Sequence, residues 1–471
     1  MPTAVHSEAA LKLDFIVVGG GAFLYLSPPP IHRLIVCFRH AGLSGFSVAH
    51  VLAKAGHRVR VLEKLPALGA PSGGLRVPPN MSKLLKKWVG AEELAKSAVL
   101  NVATPWYDLH TGERMGVAQW RPAVMAETGG DFLLMKHEDI HRMVYRLAVN
   151  SGAKVEFGVP VESVSPGDSK PTVKLSTGEI LTADIIIGAD GATSIVRPVV
   201  VGEEDDPKPS GFTIFGTTIP AAAMMEDPEL ARLVQANEWP IMMGTHRSLC
   251  AHPVRAKTEF AVQMYWPDAD AGTPEDAGES WYDIVPTSTI DFSNLSPMVQ
   301  RMLKLTPNLY RTRWMTREHE IDEWIDESGQ IVLIGEAAHP WFPGGTYGPS
   351  MALEDAVVFG TLFTNLSSRA QIPTFLNAYQ EIRLNRTTAV NNTDISNAAF
   401  MRLAPGPEKD ARDADIRLAR DEWDDGSLKT EFESLAGVFC YEAEDAAQEW
   451  WVTWGRYHLR DSVQFNPEQT S

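Results

Sequence analysis

The chain has 471 residues, of which 44% are hydrophobic and 22% charged; these are ordinary globular proportions that exclude wholesale disorder and point to two or three lobes. Forty-two basic against 60 acidic side chains leave a formal charge of −18, which repels nucleic acid and anionic membranes, so neither is an expected partner. Cys37, Cys250 and Cys440 are too scattered for a disulfide framework or a zinc site and fit a reducing, cytoplasmic setting. No apolar run reaches the ~20 residues of a membrane span, and Met1 to Asp14 lacks the apolar core of a secretory signal.

In chain order, Leu13 to Val18 reads as a buried first strand entering the glycine turn Gly19-Gly20-Gly21. The helix expected next does not follow, because Pro28-Pro29-Pro30 forbids one. It begins instead after Gly42-Leu43-Ser44-Gly45, as an amphipathic stretch from Phe46 to His57 closed by Gly56. A second strand, Arg58 to Glu63, ends on an acid. With residues 22–42 removed, the chain reads Gly19-Gly20-Gly21-Leu43-Ser44-Gly45, a complete G-x-G-x-x-G, with Glu63 eighteen residues beyond Gly45. Such a motif holds a pyrophosphate against backbone and a helix N-terminus, while the acid takes the ribose hydroxyls. Residues 22–42 therefore read as foreign to the fold, bounded by glycines as a retained intron would permit, with a genuine surface insertion as the alternative.

Two further glycine turns follow. Strand-like stretches at Val155 to Val164 and Val173 to Thr182 lead to Ile185-Ile186-Ile187-Gly188-Ala189-Asp190-Gly191, with Arg197 downstream. Later, Ile331 to Ile334 runs into Gly335-Glu336, then His339 to Gly348 and a helix opened by Pro349.

These three motifs, from Leu13 to the region of Tyr379, Arg383 and Arg386, resemble the group A flavoprotein monooxygenases of the salicylate hydroxylase-like branch of the aromatic hydroxylase family. The resemblance implies an α/β fold: a Rossmann-like FAD-binding domain, an antiparallel-sheet substrate domain and a C-terminal helical segment. It implies FAD as the cofactor and NAD(P)H as a transient reductant. The FAD contacts it implies are Gly19, Gly21, Ser44, Gly45 and Glu63 for the ADP half, and Gly188, Asp190, Gly191 and Arg197 for the pyrophosphates. It also implies Gly335 and Glu336 at the ribityl chain, and Pro343, Gly345 and Gly348 at the isoalloxazine. Two departures stand out: Glu336 replaces an aspartate, and His137 stands where the family carries an arginine, with Lys136 as the substitute charge. In that family O2 adds to the reduced flavin as a hydroperoxide, and one oxygen passes to an electron-rich ring carbon.

The division expected is 10–208 and 317–395 for FAD binding, 209–316 for substrate and 396–471 for the helical tail, with strands near 100–130 candidates to join the substrate lobe. Strand-like alternation at Phe212 to Thr218, Met242 to His246 and Glu259 to Trp266 builds that lobe. There Trp239, Met242, Met264 and Trp266 are candidate ligand walls, and His246 and His252 weak candidate bases beside an ordinary structural role. No metal-ligand spacing is present. The expected partners are a small aromatic substrate and O2, in a monomer or homodimer. Epoxidation or oxidation by the same fold, or a product made inert by residues 22–42, remain the alternatives.

Overall fold

The structure, a computed structural model, describes residues 8–19, 42–69, 73–280, 283–418, 433 and 435–456. Most of the 22–42 segment, and Gly21 with it, therefore lies outside the described residues.

Five short apolar strands form a wholly parallel sheet in the order Ile331–Leu333, Ile185–Gly188, Asp14–Val18, Arg58–Glu63 and Lys154–Phe157. Both faces are covered, which is why these strands read as continuous apolar runs. The helix Leu43–Lys54 packs between the helices Gly348–Thr364 and His137–Asn150, so Leu43, Phe46, Val48, Ala49 and Leu52 are all buried, along with Ser44, Ser47 and His50. Its expected amphipathic pattern is thus replaced by burial almost all round, because a second layer of helix covers the side that would face water. The stretches 155–164 and 173–182 resolve into Lys154–Phe157 on the edge of the parallel sheet and a three-stranded antiparallel sheet of Val161–Ser165, Thr172–Leu175 and Ile180–Thr182.

The second lobe is an eight-stranded sheet in the order Asp283–Pro286, Asn308–Thr316, Lys208–Pro220, Glu259–Pro267, Ser248–Val254, Ile241–Met243, Ala103–Asp108 and Arg114–Gln119. It is antiparallel except where Ile241–Met243 runs parallel to Ala103–Asp108. Strand alternation divides its side chains between two cores. Met242, Leu249, Met264 and Trp266 face helices on the outer side, whereas Ile241, Met243, Cys250 and Tyr265 face the parallel-sheet lobe. Of the four candidate wall residues, Trp239 alone belongs to the inner group; Met242, Met264 and Trp266 are corrected to the outer core.

The C-terminal region is helical: Ile372–Phe400, Pro407–Leu418 and Ala443–Trp450. Trp450 and Trp451 meet Phe375 edge-on, with ring centroids 6.3 and 5.7 Å away, and pin the last helix to the body, while Trp454 is exposed. Among the described residues no helix is long and apolar enough to cross a membrane.

Trp266→Ala is expected to destabilise the protein by about 3–5 kcal/mol, since its side chain is fully buried in the outer core, and to leave ligand binding on the inner face unchanged. Paired denaturation and ligand titration check this; a parallel loss of affinity would show that the faces are coupled. Burial also pushes buried histidines down from 6.5, His50 and His137 to about 4 and His141 and His252 to about 3, with His57 lowered as well. Between those values and 6.5 the unfolded chain binds protons that the native state refuses, so stability is full above about pH 6.5 and falls as pH drops toward 4. Melting temperatures recorded across that window check the sign.

Candidate active site

The three glycine motifs emerge at one edge of the parallel sheet because their strands are adjacent and in register. Val18 pairs with both Leu62 and Gly188, and Gly188 pairs with Leu333, so the chain leaves all four strands at the same carboxyl end. Carboxyl ends of parallel strands are where such folds bind ligands. Gly19 turns there with φ +100°, its N–H donating to Leu62 O at 2.8 Å. Ser44 and Gly45 lie in the first turn of a helix whose start no side chain caps among the described residues. Glu63 is fully buried at the end of the next strand, its Oε1 accepting from Leu65 N at 2.8 Å.

Glycine is required at Gly335, where φ is +64° and a Cβ would lie 1.9 Å from Ser44 Oγ. This close approach joins the first motif to the third. Arg197 joins the second to the third: its Nε and Nη2 donate to Ala337 O and Glu336 O, each at 2.8 Å, and its Nη1 to Ala192 O at 2.8 Å and to Asp205 at 2.5 Å. Arg197 is 2% exposed and committed to these acceptors, so it braces the motif loops. Asp190 likewise folds its own turn, accepting from Ser194 Oγ at 2.5 Å and Ile195 N at 2.7 Å, and Gly191 turns with φ +80°. Glu336 has an exposed side chain.

Lys136 and His137 belong to other elements than these four strands. Lys136 closes the small strand Leu133–Lys136, and its Nζ is held by Glu259 at 2.7 Å within an ionic cluster that also contains Glu138, Asp139 and Arg255. His137 opens the helix behind it, with its N–H donating to Gly73 O and burial pushing its imidazole down to about 4.

Between the two lobes lies a cavity of about 240 Å³ walled by Trp106, Trp120, Phe132, Trp239, Tyr265 and Phe342, among others. Its floor is the loop from Phe342 to Tyr347, held by opposite charges. Arg76 donates to the carbonyls of Gly344 and Gly345, and Asp394 accepts from Trp341 Nε1 at 2.8 Å, Thr346 N at 3.0 Å and Tyr347 N at 2.9 Å. Burial pushes the Asp394 carboxyl up, against those three donors. Pro343, Gly345 and Gly348 sit in or beside this loop; a Cβ at Gly345 would fall 2.5 Å from Asp394 and one at Gly348 2.8 Å from the Trp341 ring. The cavity wall contains neither His246 nor His252. His246 is exposed on a turn with φ +56°, and His252 is buried against Gly74, beyond the wall. Arg76 and Asp394 were missed in the sequence. The first had a signal, a lone cation inside the apolar run Gly74-Leu75-Arg76-Val77; the second, in the polar run Asn391 to Asn397, had none.

These residues fit FAD. Helix N–H donors that no described side chain caps, a buried acid on the neighbouring strand that can accept from ribose hydroxyls and a glycine position with no room for a Cβ are what an adenine dinucleotide requires. Asp394→Ala leaves two backbone N–H groups and one indole N–H unpaired, which is expected to cost about 1–3 kcal/mol and to lower FAD retention. Urea unfolding and the flavin absorbance remaining after gel filtration check both.

The family model described as "FAD binding domain" matches residues 36–394. FAD-dependent monooxygenase OpS4 of Beauveria bassiana is 26% identical over 386 residues, covering 82% of this chain and 88% of the relative. 3-Hydroxybenzoate 6-hydroxylase of Klebsiella oxytoca is 27% identical, covering 74% and 84%. Among solved structures, a salicylate hydroxylase substrate complex superposes with a TM-score of 0.70 at 18% identity, over 93% of this chain and 97% of the other. CtdE in complex with FAD and a substrate gives a TM-score of 0.72 at 16% identity, over 95% and 100%. At these identities the solved structures bear on the fold alone. With the fold, the motif geometry and a family match over most of its length, the chain belongs to the FAD binding domain family, as an FAD-dependent flavoprotein monooxygenase of the aromatic hydroxylase group.

Proposed function

We propose that this enzyme hydroxylates a small aromatic compound with NAD(P)H and O2, inserting one oxygen atom into the ring and releasing the other as water. The observation that carries the reading is the aromatic-walled cavity resting on the Phe342–Tyr347 loop, at the junction of the motif-bearing sheet and the second lobe. Its volume suits a compound of one or two rings, and flat aromatic walls favour a flat ligand. Relatives named for acting on 3-hydroxybenzoate and 6-hydroxynicotinate support a single-ring compound of this kind.

Bound FAD supplies the redox and oxygen-transfer chemistry. Gly19, Ser44, Gly45 and Glu63 would hold its ADP half, Gly188 to Gly191 and Glu336 its middle, and the Pro343–Gly348 loop its ring. The chain's own part is to orient and to keep water out. Stacked Tyr265 and Phe342, with ring centroids 5.4 Å apart and planes 15° from parallel, form a rigid wall beside the loop, and Tyr265 Oη fastens it by donating to Gly344 O at 2.7 Å. Because no histidine lines the cavity among the described residues, deprotonation of a phenolic substrate by a wall imidazole is not part of this reading.

The purified protein is expected to show flavin absorbance and to consume NAD(P)H faster when a suitable phenol is present, yielding a product heavier by one oxygen. The same spectrum from a chain lacking residues 22–42 reports on that segment. Absence of flavin from both proteins would overturn the reading, and an epoxide or peroxide alone as product would replace hydroxylation with the runner-up chemistry.

A further inference from the structure

Arg76, on the strand Gly74–Val77, is 3% exposed and lines the cavity. Every acceptor it reaches among the described residues is uncharged: Gln263 Oε1 at 2.6 Å, the Gly344 carbonyl, and the Gly345 carbonyl at 3.1 Å. Its Nε–H has no partner among the described residues, and its guanidinium stands 5.4 Å from the Trp239 ring centroid. A second cation lies behind the same wall. Arg402 is 8% exposed, its guanidinium 4.1 Å from the Phe212 ring and 5.8 Å from the Tyr265 ring. Arg402 donates through Nε to Ala398 O at 2.8 Å, and its Nη1 is unpartnered among the described residues.

Against these two cations the described wall offers one carboxylate, Asp394, whose oxygens already accept three N–H groups. Buried guanidinium groups are ordinarily matched by acids, as Arg383 is by Glu354 and Asp355 elsewhere in this chain. A local excess of buried positive charge is therefore unusual here, all the more in a protein whose formal charge is −18. An uncompensated cation beside a cavity is stabilised by a ligand that brings the missing charge.

We propose that Arg76 is a specificity-determining residue that selects aromatic ligands bearing an anionic oxygen, with Arg402 adding positive potential from behind Tyr265. This rests on the reading of the cavity as the substrate site. An anionic oxygen on the ring comes from a carboxylate or from an aryl oxyanion, and both present the same acceptor to a guanidinium.

Calorimetric titration of the full-length protein with two matched pairs tests the inference: benzoate against methyl benzoate, and 4-nitrophenolate against 4-nitroanisole. Flavin content, read from the visible spectrum of the same samples, tests the proposed function separately. The anion of at least one pair is expected to bind about 10- to 100-fold more tightly than its neutral partner, the gain typical of a hydrogen bond to a charged group. The pair that shows it identifies the source of the charge. Arg76→Met is expected to abolish the preference and Arg76→Lys to keep it, although both lose the forked contact with the loop carbonyls. Equal affinity for anion and neutral partner in both pairs overturns the proposal. So does a loss in Arg76→Met that falls equally on both members of a pair, since that is the behaviour of a loop brace. Flavin-loaded protein with no anion preference would leave the proposed function standing and remove this inference alone.

Discussion

Asp355 is fully buried, and its carboxylate is where the separate parts of the site are tied together. It accepts from Gly335 N at 3.0 Å, from Arg383 Nε at 2.7 Å, and lies 2.6 Å from His339 Nε2. Burial pushes the carboxyl up, but His339 and Arg383 outweigh it and hold the group below the ordinary carboxylate range. One residue earlier, Glu354 pairs with Arg383 at 2.8 Å and Arg386 at 3.2 Å and accepts from Asn80 Nδ2 at 2.7 Å. Two acids on the helix Gly348–Thr364 therefore bind the third glycine turn on one side and the long C-terminal helix on the other. A buried pair of this kind adds little net stability, but removing one partner strands the other, so it enforces a single arrangement.

That arrangement determines where the cavity floor sits. The Phe342–Tyr347 loop leaves Gly335 by a short path, and the same long helix that carries Arg383 supplies Asp394 further along to grip the loop's N–H groups. Its carbonyls are turned the other way and meet Arg76 on the strand Gly74–Val77 and Tyr265 of the second lobe. A loop whose donors face an anion and whose acceptors face a cation has little freedom to change shape. The two lobes thus share one loop, and the cavity between them inherits its geometry from both.

The balance of charge along the cavity differs from that of the whole chain. Acidic side chains outnumber basic ones overall, yet the described wall beside the loop holds Arg76 with no acid of its own and one carboxylate saturated by donors. Net charge describes how the molecule meets solvent and other macromolecules; the potential inside a low-dielectric cavity depends on the few charges that line it.

Much of the parallel-sheet lobe was legible in the residues. Continuous apolar runs followed by glycine turns have few interpretations, so the strands ending at Val18, Glu63, Gly188 and Leu333 and the turns after them could be read in order. Alternation in the second lobe showed strands, but period two is symmetric. It separates Met264 and Trp266 from Tyr265 without saying which set faces the cavity, and the choice was made by helices packing over the outer face. Nor did the motif order reveal that Arg197 and Asp190 spend their polar atoms on the turns themselves, or that Lys136 spends its charge on Glu259. The sequence by itself determined the family, the cofactor and the sheet that presents it, because those depend on local backbone requirements that only glycine and a few apolar runs meet. Tertiary structure alone decided the cavity: Arg76 and Asp394 are more than three hundred residues apart, and their charges become a pair of grips only when two sheets and a distant helix close on one loop.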